Sequence, residues 1–350
     1  MEFALDETQQ AVRDLAADVL DGQAQRFEAD GEIGFDSAAW KALGESGLLS
    51  LAVPERLGGD GLGPLEVGLV LRAVGRAGAR VPALATLALG VLPIARLGTE
   101  RQQDELLGES GRVFTAALSE PSNPLPGQPS TTLRGTRVTG RKIGVQHADL
   151  AHRLLVSADT GDGPAVLVVD PGADGVRLHE APAALGTDWV IEFDSAPAEL
   201  LGDGTGLADL HTCALAGLCA LGDGAVAAAL DLTAEHVRTR QQFGKPLAAF
   251  QAVAQQIADV YVLARTLHLA TLSACWRLGT GRDATEDLDV AAYWLAEKAP
   301  AAMRTCQHLH GGLGLDITYP MHRHYSRIKD LARLAGGAAH RLEAIAAHEG

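Results

Sequence analysis

The chain has 350 residues, 47% of them hydrophobic and 21% charged, close to globular averages; a disordered or collagen-like chain is excluded, and the length suggests two or three domains. A net charge of -15 repels nucleic acid and anionic membrane surfaces, so neither is expected as a partner. Aromatic residues are only 4% and glycines number 40, so the core has to be built mainly from Ala, Leu and Val on helices with small residues at their contacts.

From Asp6 the run DETQQAVRDLAADVL places Val12, Leu15, Ala16, Val19 and Leu20 at helical spacing behind a capping Asp, which predicts an amphipathic helix. A second helix is predicted over roughly 36–47. The Pro/Gly punctuation of VPERLGGDGLGPLE then forces a turn before further helices run to about Glu109. Short apolar or alternating runs follow at strand-like intervals, Val113–Leu118, Val138–Ile143, Leu154–Ala158, Ala165–Asp170, Val176–His179 and Trp189–Phe193, separated by Gly/Asp/Pro turns. After Gly206 the helical period returns, with Phe250, Val253, Ile257, Val260, Tyr261 and Ala264 on one face. A helix from Thr285 to about Gly311 and a terminal helix near 337–348 complete the chain. The expected organisation is α+β and mostly α, with a helical domain over 1–110, a β-domain over 111–205 and a helical domain over 206–350.

No uninterrupted apolar run reaches the roughly 18 residues that span a bilayer, and MEFALDETQQ has neither a basic n-region nor an apolar h-region. A cytoplasmic location without a membrane segment is the expectation. Cys213, Cys219, Cys275 and Cys306 form no C-x-x-C pair, as expected of reduced thiols packed in helices.

Four strings carry more than periodicity. They are Trp40 to Gly59 (WKALGESGLLSLAVPERLGG), Ala117-Leu118-Ser119-Glu120-Pro121, Arg238 to Pro246 (RTRQQFGKP) followed by Phe250-Gln251, and Gln307-His308-Leu309-His310-Gly311-Gly312-Leu313-Gly314. A permanently charged guanidinium at Arg240 can offer forked donors to phosphate oxygens, and Phe243 an apolar wall. Glycines after a helix let backbone come close to a ligand. His308, His310, His322 and His324 have no carboxylate or Cys at ligand spacing, so no metal is expected.

Together these strings resemble the acyl-CoA dehydrogenase family over essentially the whole length. The resemblance implies an N-terminal helical domain, a middle β-barrel-like domain and a C-terminal four-helix bundle, with FAD as cofactor and an acyl-CoA substrate. In that family the Arg of R-x-x-F-G and the Gln eleven residues later contact the FAD diphosphate and adenosine of the neighbouring subunit. The Q-x-x-G-G-x-G segment receives the adenine end. By that resemblance Arg240, Phe243, Gln251, Gln307, His308, Leu309, His310 and Gly311 are FAD contacts.

The chain departs from the family where the chemistry is done. Acyl-CoA dehydrogenation needs a carboxylate to take the α-proton while the β-hydrogen leaves as hydride. The family's usual Glu position aligns with Gly336 in Leu334-Ala335-Gly336-Gly337, and the alternative position on the preceding helix falls near Ala214. Asp330 and Glu343 lie close in sequence, but seven residues along a helix displace a side chain by roughly 10 Å. The Trp of the family's second β-domain motif is replaced by Gly144, its T-S-E by Ala338-Ala339-His340, and its Gly-Ser-Asp by SNPLPGQPS.

Contacts that a subunit makes to its own flavin are thus degraded, and contacts to its neighbour's FAD are kept. The pattern is similar to the base-deficient subunit of the α2β2 enzymes of actinobacterial steroid side-chain catabolism. It implies an FAD shared across a subunit interface, a paralogous catalytic subunit as partner, and no activity alone. A steroid side-chain CoA thioester is the implied substrate, and electron-transfer flavoprotein a further implied partner. The alternatives are a self-sufficient homo-oligomeric flavoprotein with a displaced base, and a scaffold subunit that binds no FAD.

Overall fold

The computed structural model describes residues 4–27 and 35–347. Helix α1 (Glu7–Phe27) starts where expected. The Gln9 amide donates to Asp6 Oδ1 at 2.8 Å and the Asp6 amide to Gln9 Oε1 at 3.1 Å, a reciprocal cap that satisfies two otherwise orphaned donors. Of the predicted stripe, Ala16 and Leu20 are buried, but Leu15 is 42% exposed. Leu15 lies about 100° around the helix from Ala16 and falls outside a stripe centred on Ala16 and Leu20. The predicted second helix is α2 (Ser37–Glu45), where Asp36 caps the amide of Ala39 at 3.0 Å. α3 (Pro64–Ala77), a π-helical turn at Leu84–Val91, α4 (Leu92–Leu97) and α5 (Glu100–Leu107) follow.

The predicted strand runs appear as β1 (Phe114–Ala117), β3 (Arg137–Gln146), β4 (Arg153–Asp159), β5 (Pro164–Val169), β6 (Val176–Ala183) and β7 (Gly186–Pro197). Two short strands not anticipated, β2 (Thr132–Arg134) and β8 (Glu199–Leu200), complete an eight-stranded sheet of order β6-β7-β3-β2-β4-β5-β8, with β1 parallel to β4. Val138, Leu154, Val156, Leu167 and Ile191 form its fully buried core.

α6 (Leu207–Thr239) corrects one expectation. It is long and apolar enough to cross a membrane by length and composition, because the Asp and Gly residues that break the run are too few to outweigh its Ala, Leu, Val and Cys in the mean hydropathy. Within the protein 89% of its most apolar window is buried, as in the core helix of a globular unit. The small residues explain how. A Cβ on Gly224 of α6 would stand 1.9 Å from the Arg72 carbonyl oxygen of α3, and one on Gly75 of α3 would stand 2.0 Å from the Leu221 oxygen of α6. The two backbones touch, and only glycine fits at either point.

This close approach has an opposing-sign test. Helix propensity alone makes Gly224→Ala stabilising by about 1 kcal/mol. The backbone contact makes it destabilising by about 3 kcal/mol. A drop in the urea unfolding midpoint is the expected result, and a rise would show that the helices can separate freely.

A hairpin of β9 (Gln241–Gln242) and β10 (Lys245–Pro246) interrupts the helices where only helix was anticipated. α7 (Gln251–Gly279), α8 (Thr285–Tyr293), α9 (Ala299–His310), α10 (Met321–Leu334) and α11 (Gly337–Ala346) follow. The helix anticipated over 285–311 is continuous except for a π-helical turn at Trp294–Lys298. On α7, Val260 and Ala264 are buried, whereas Tyr261, placed on the same face by the periodicity, is 55% exposed. As on α1, it lies about 100° from its buried neighbour. The expected end of the terminal helix at His348 lies outside the described residues.

The chain divides into two compact units. One comprises Met1–Phe35, Gly68–Arg80 and Leu218–Gly350, the other Asp36–Val67 and Val81–Gly217. The first is helical apart from the hairpin, and it holds a buried carboxylate, Asp223, whose Oδ2 accepts from Arg72 Nε at 2.7 Å and faces His268 Nδ1 at 2.8 Å. The second contains the sheet.

Candidate functional site

The hairpin holds the R-x-x-F-G string. The Arg240 amide donates to the His236 carbonyl at 2.8 Å, the last turn of α6, and the Leu247 amide returns to the Arg240 carbonyl at 2.9 Å. Phe243 and Gly244 make the two-residue turn with φ of 53° and 78°, the backbone pattern of a type I′ hairpin. Glycine adopts it freely, but for Phe243 it costs about 1–2 kcal/mol. That strained aromatic is also 92% exposed, with only an edge contact to the Phe250 ring at 6.3 Å. A strained and exposed aromatic gains nothing for its own fold, which is the mark of a residue kept for an outside contact. Lys245 Nζ sits 4.2 Å above the Phe250 ring, and Phe250 in turn is the N-cap of α7, where the exposed Gln251 begins. Arg240, Phe243 and Gln251 therefore all present exposed side chains at one hairpin–helix junction.

The Gly-rich string is brought to the same end of α6. His236, one turn before Arg240, stacks on His310 with ring centroids 4.5 Å apart. His310 Nδ1 lies 2.8 Å from the Cys306 carbonyl and Nε2 lies 3.1 Å from the Tyr319 hydroxyl. Burial pulls His310 below the ordinary histidine range. Burial, then the neighbouring His310 and Arg240, do the same to His236, so both rings are neutral near pH 7. His310 and Leu309 are buried, while His308 and Gly311 are exposed.

The spacing at Gln307 differs from the family string. Gly311 follows it by four positions, where the family spacing has three. One extra residue turns a helical side chain by about 100°. Accordingly Gln307 is half-buried and its Nε2 donates to the Gly314 carbonyl at 3.3 Å, closing the loop on itself. His308, three positions before Gly311, is exposed beside it.

Gly336 and Ala214, where the resemblance puts the base, are not carboxylates. Gly336 is the left-handed N-cap of α11, at φ 94° and ψ -1°, followed by Gly337 at φ 78°. Two successive left-handed residues turn α10 into α11, a conformation in which a Glu would be strained. Ala214 is 1% exposed on α6. Asp330 is buried, 3.5 Å from Arg333, and Glu343 is exposed on α11.

The strand-end string after β1 conceals a polar core that the sequence reading did not assign. Glu120 is 2% exposed and Lys142 fully buried, paired at 2.9 Å. The carboxylate also accepts from the Ser130 amide and hydroxyl, both at 2.7 Å, and from the Thr131 amide at 2.8 Å. Lys142 Nζ donates further to Ser157 Oγ at 2.8 Å. Burial alone would raise the Glu120 carboxyl, but Ser130, Lys142 and the Thr131 amide together bring it down to about 2. Burial pushes Lys142 down to about 8 against the pull of Glu120. The signal was a Glu before Pro and a Lys inside a strand, each unusual on an apolar run.

The acyl-CoA dehydrogenase N-terminal domain model matches residues 4–111 and the C-terminal domain model residues 216–349. Acyl-CoA dehydrogenase FadE28 of Mycobacterium tuberculosis is 47% identical, covering 99% of this chain and 98% of its own length. Among solved structures, a Tcur3481–Tcur3483 steroid ACAD variant superposes with a TM-score of 0.91 at 32% identity, over 97% of both chains. The ChsE4–ChsE5 complex from Mycobacterium tuberculosis does so with a TM-score of 0.90 at 33% identity, over 100% of this chain and 99% of that one. With the helical–sheet–helical order, the R-x-x-F-G hairpin and full-length similarity all in agreement, the chain belongs to the acyl-CoA dehydrogenase family.

Proposed function

We propose that this chain is the base-deficient subunit of a heteromeric, FAD-dependent acyl-CoA dehydrogenase and contributes the adenosine-diphosphate half of a flavin site to a paralogous catalytic subunit. The observation that carries the reading is a conjunction. Arg240, Phe243 and Gln251 are exposed on one rigid junction, the Phe at the cost of backbone strain, while the base position is a left-handed glycine. The donor set fits the cofactor's outer half: a forked cation suits a diphosphate, and an exposed ring and a glycine-opened loop suit an adenosine. Bound FAD supplies the hydride acceptor.

In this reading Arg240 holds the diphosphate, Phe243 covers it from water, Gln251 and His308 contribute polar contacts, and the His236–His310 stack keeps the two strings together. The α-proton is taken by a carboxylate of the partner. The similar steroid ACAD and the ChsE4–ChsE5 complex are two-component proteins by name, which supports a paralogous partner and a steroid side-chain CoA thioester as substrate. The reading also includes electron-transfer flavoprotein as acceptor and a cytoplasmic site of action, where the four buried cysteines, none in a disulfide, stay reduced.

The test is the visible flavin absorbance of the chain purified alone and after co-expression with a family paralogue. Flavin and acyl-CoA oxidation are expected only in the co-purified complex. Flavin with turnover in the lone chain would overturn the reading.

A further inference from the structure

α10 begins against the electrostatic preference of a helix N-terminus. Pro320 provides no side-chain cap, the first turn holds no acidic residue, and positions 322–324 are His, Arg and His. The end of a helix where amides are unpaired carries about half a positive charge, which favours anions and disfavours cations. More cations crowd the same end. Arg327 donates from Nη2 to the Ala79 carbonyl at 2.6 Å. Burial and Arg323 lower Arg80, burial and then Arg80 bring Arg327 down to about 10, and burial, then Arg327, Arg323, His322 and Arg76, bring His324 down to about 3. Asp330 acts against this at Arg327, but the charges acting on the neutral His324 are cations, an arrangement that breaks local rules helices ordinarily obey, and functional sites are where such breaks occur.

This end of α10 opens on a cavity of about 450 Å³ within the helical unit. Arg13, Arg72, Arg76 and Arg323 stand around it, and Leu20, Leu69 and Ala73 supply apolar surface. His324 is 4% exposed, forms part of the wall, and has no hydrogen-bond partner at Nδ1. The carboxylates on the cavity are Asp21, Asp231 and Glu235. Asp231 is engaged by Arg76 at 2.6 Å and Glu235 by Arg238, which is not part of the lining. Arg13 and Arg72 have partners in Asp14 and Asp223, yet each keeps guanidinium donors beyond the Nε that those pairs use. None of Arg240, Phe243, Gln251 or the 307–311 segment lines the cavity, so it is separate from the dinucleotide site.

We propose that this cavity binds a small-molecule oxyanion, a carboxylate or phosphate carried on a short apolar body, with the head at Arg323 and the first turn of α10 and the body on Leu20, Leu69 and Ala73. Guanidinium forks match paired oxygens of either head group. The volume lies within the roughly 300–1,000 Å³ usual for ligand pockets, and the guanidinium groups around an apolar floor favour an anion with an apolar body.

Calorimetric titration of the full chain with octanoate and, separately, with phenyl phosphate tests it, in the absence of flavin so that failure leaves the Arg240 reading untouched. Saturable one-to-one binding of at least one probe is expected, weakened at least about tenfold by Arg323→Gln. Arg13→Gln, at a solvent-facing side chain, is expected to weaken the same probe and keeps the test open if the first variant does not fold. Octanoate alone would assign a carboxylate ligand, phenyl phosphate alone a phosphate ester. Absence of saturation with both probes, or folded variants that bind like the unaltered chain, would overturn the proposal.

Discussion

Arg240→Ala is expected to strip flavin from the co-purified complex while leaving the complex assembled. An exposed guanidinium that closes on a phosphate makes charge-assisted hydrogen bonds worth about 1.5–3 kcal/mol, which corresponds to a roughly 10–100-fold weaker cofactor. The loss should be visible as a lower flavin-to-protein ratio after gel filtration, with catalytic activity falling in proportion and returning on addition of excess FAD. Arg240→Lys should recover part of the affinity, because an ammonium keeps the charge but not the fork. The fold gives no reason for a general collapse: the side chain is exposed, and the hydrogen bonds that place it are made by its backbone, from the Arg240 amide to His236 and from Leu247 to the Arg240 carbonyl. An unchanged flavin ratio would exclude the cross-subunit clamp and leave the scaffold reading standing.

What could be read in the sequence, and what could not, follows physical lines. Six strands announced themselves because their apolar runs are short, rich in Val, Ile and Leu, and closely spaced between Gly, Asp and Pro turns. β2 escaped because three residues, Thr132, Leu133 and Arg134, cannot show a period, and β8 is shorter still. The hairpin at 241–246 escaped because its turn uses Phe243 at positive φ, a residue that turn chemistry argues against. Leu15 and Tyr261 were placed inward because a hydrophobic stripe is more than 100° wide in general and its edge is set by packing. That Gly336 stands where the resemblance puts the base was a matter of counting from Arg327, and the left-handed backbone there, φ 94°, is one that glycine adopts freely. The spacing at Gln307 could be counted in the sequence, four positions to Gly311 against the family's three, but its consequence, Gln307 bonded to Gly314 and His308 exposed, is set by the helix rotation.

The other large effect is expected in the sheet, at a pair that touches no ligand in the proposed reading. Glu120→Ala removes the carboxylate paired with the fully buried Lys142 and leaves the Ser130 and Thr131 amides without their acceptor. Breaking a buried pair on one side costs about 3–5 kcal/mol. The double substitution Glu120→Gln with Lys142→Met should recover part of that, since a buried apolar side chain needs no counter-charge. The unaltered pair also sets an acid limit. The Glu120 carboxyl titrates near 2 in the folded chain against an ordinary 4.5, so the unfolded chain binds the proton first. Its stabilisation is complete above about pH 4.5 and is lost as the pH falls towards 2, a change of about 3 kcal/mol. Lys142 acts at the other end of the scale. Its folded value near 8 against 10.5 means that its own contribution improves as pH rises across that window, because the unfolded chain then holds the extra proton. Chemical unfolding at pH 7 and pH 3 should therefore show a smaller acid destabilisation in Glu120→Gln than in the unaltered chain. An equal acid loss in both would mean that other carboxylates, not this pair, set the limit.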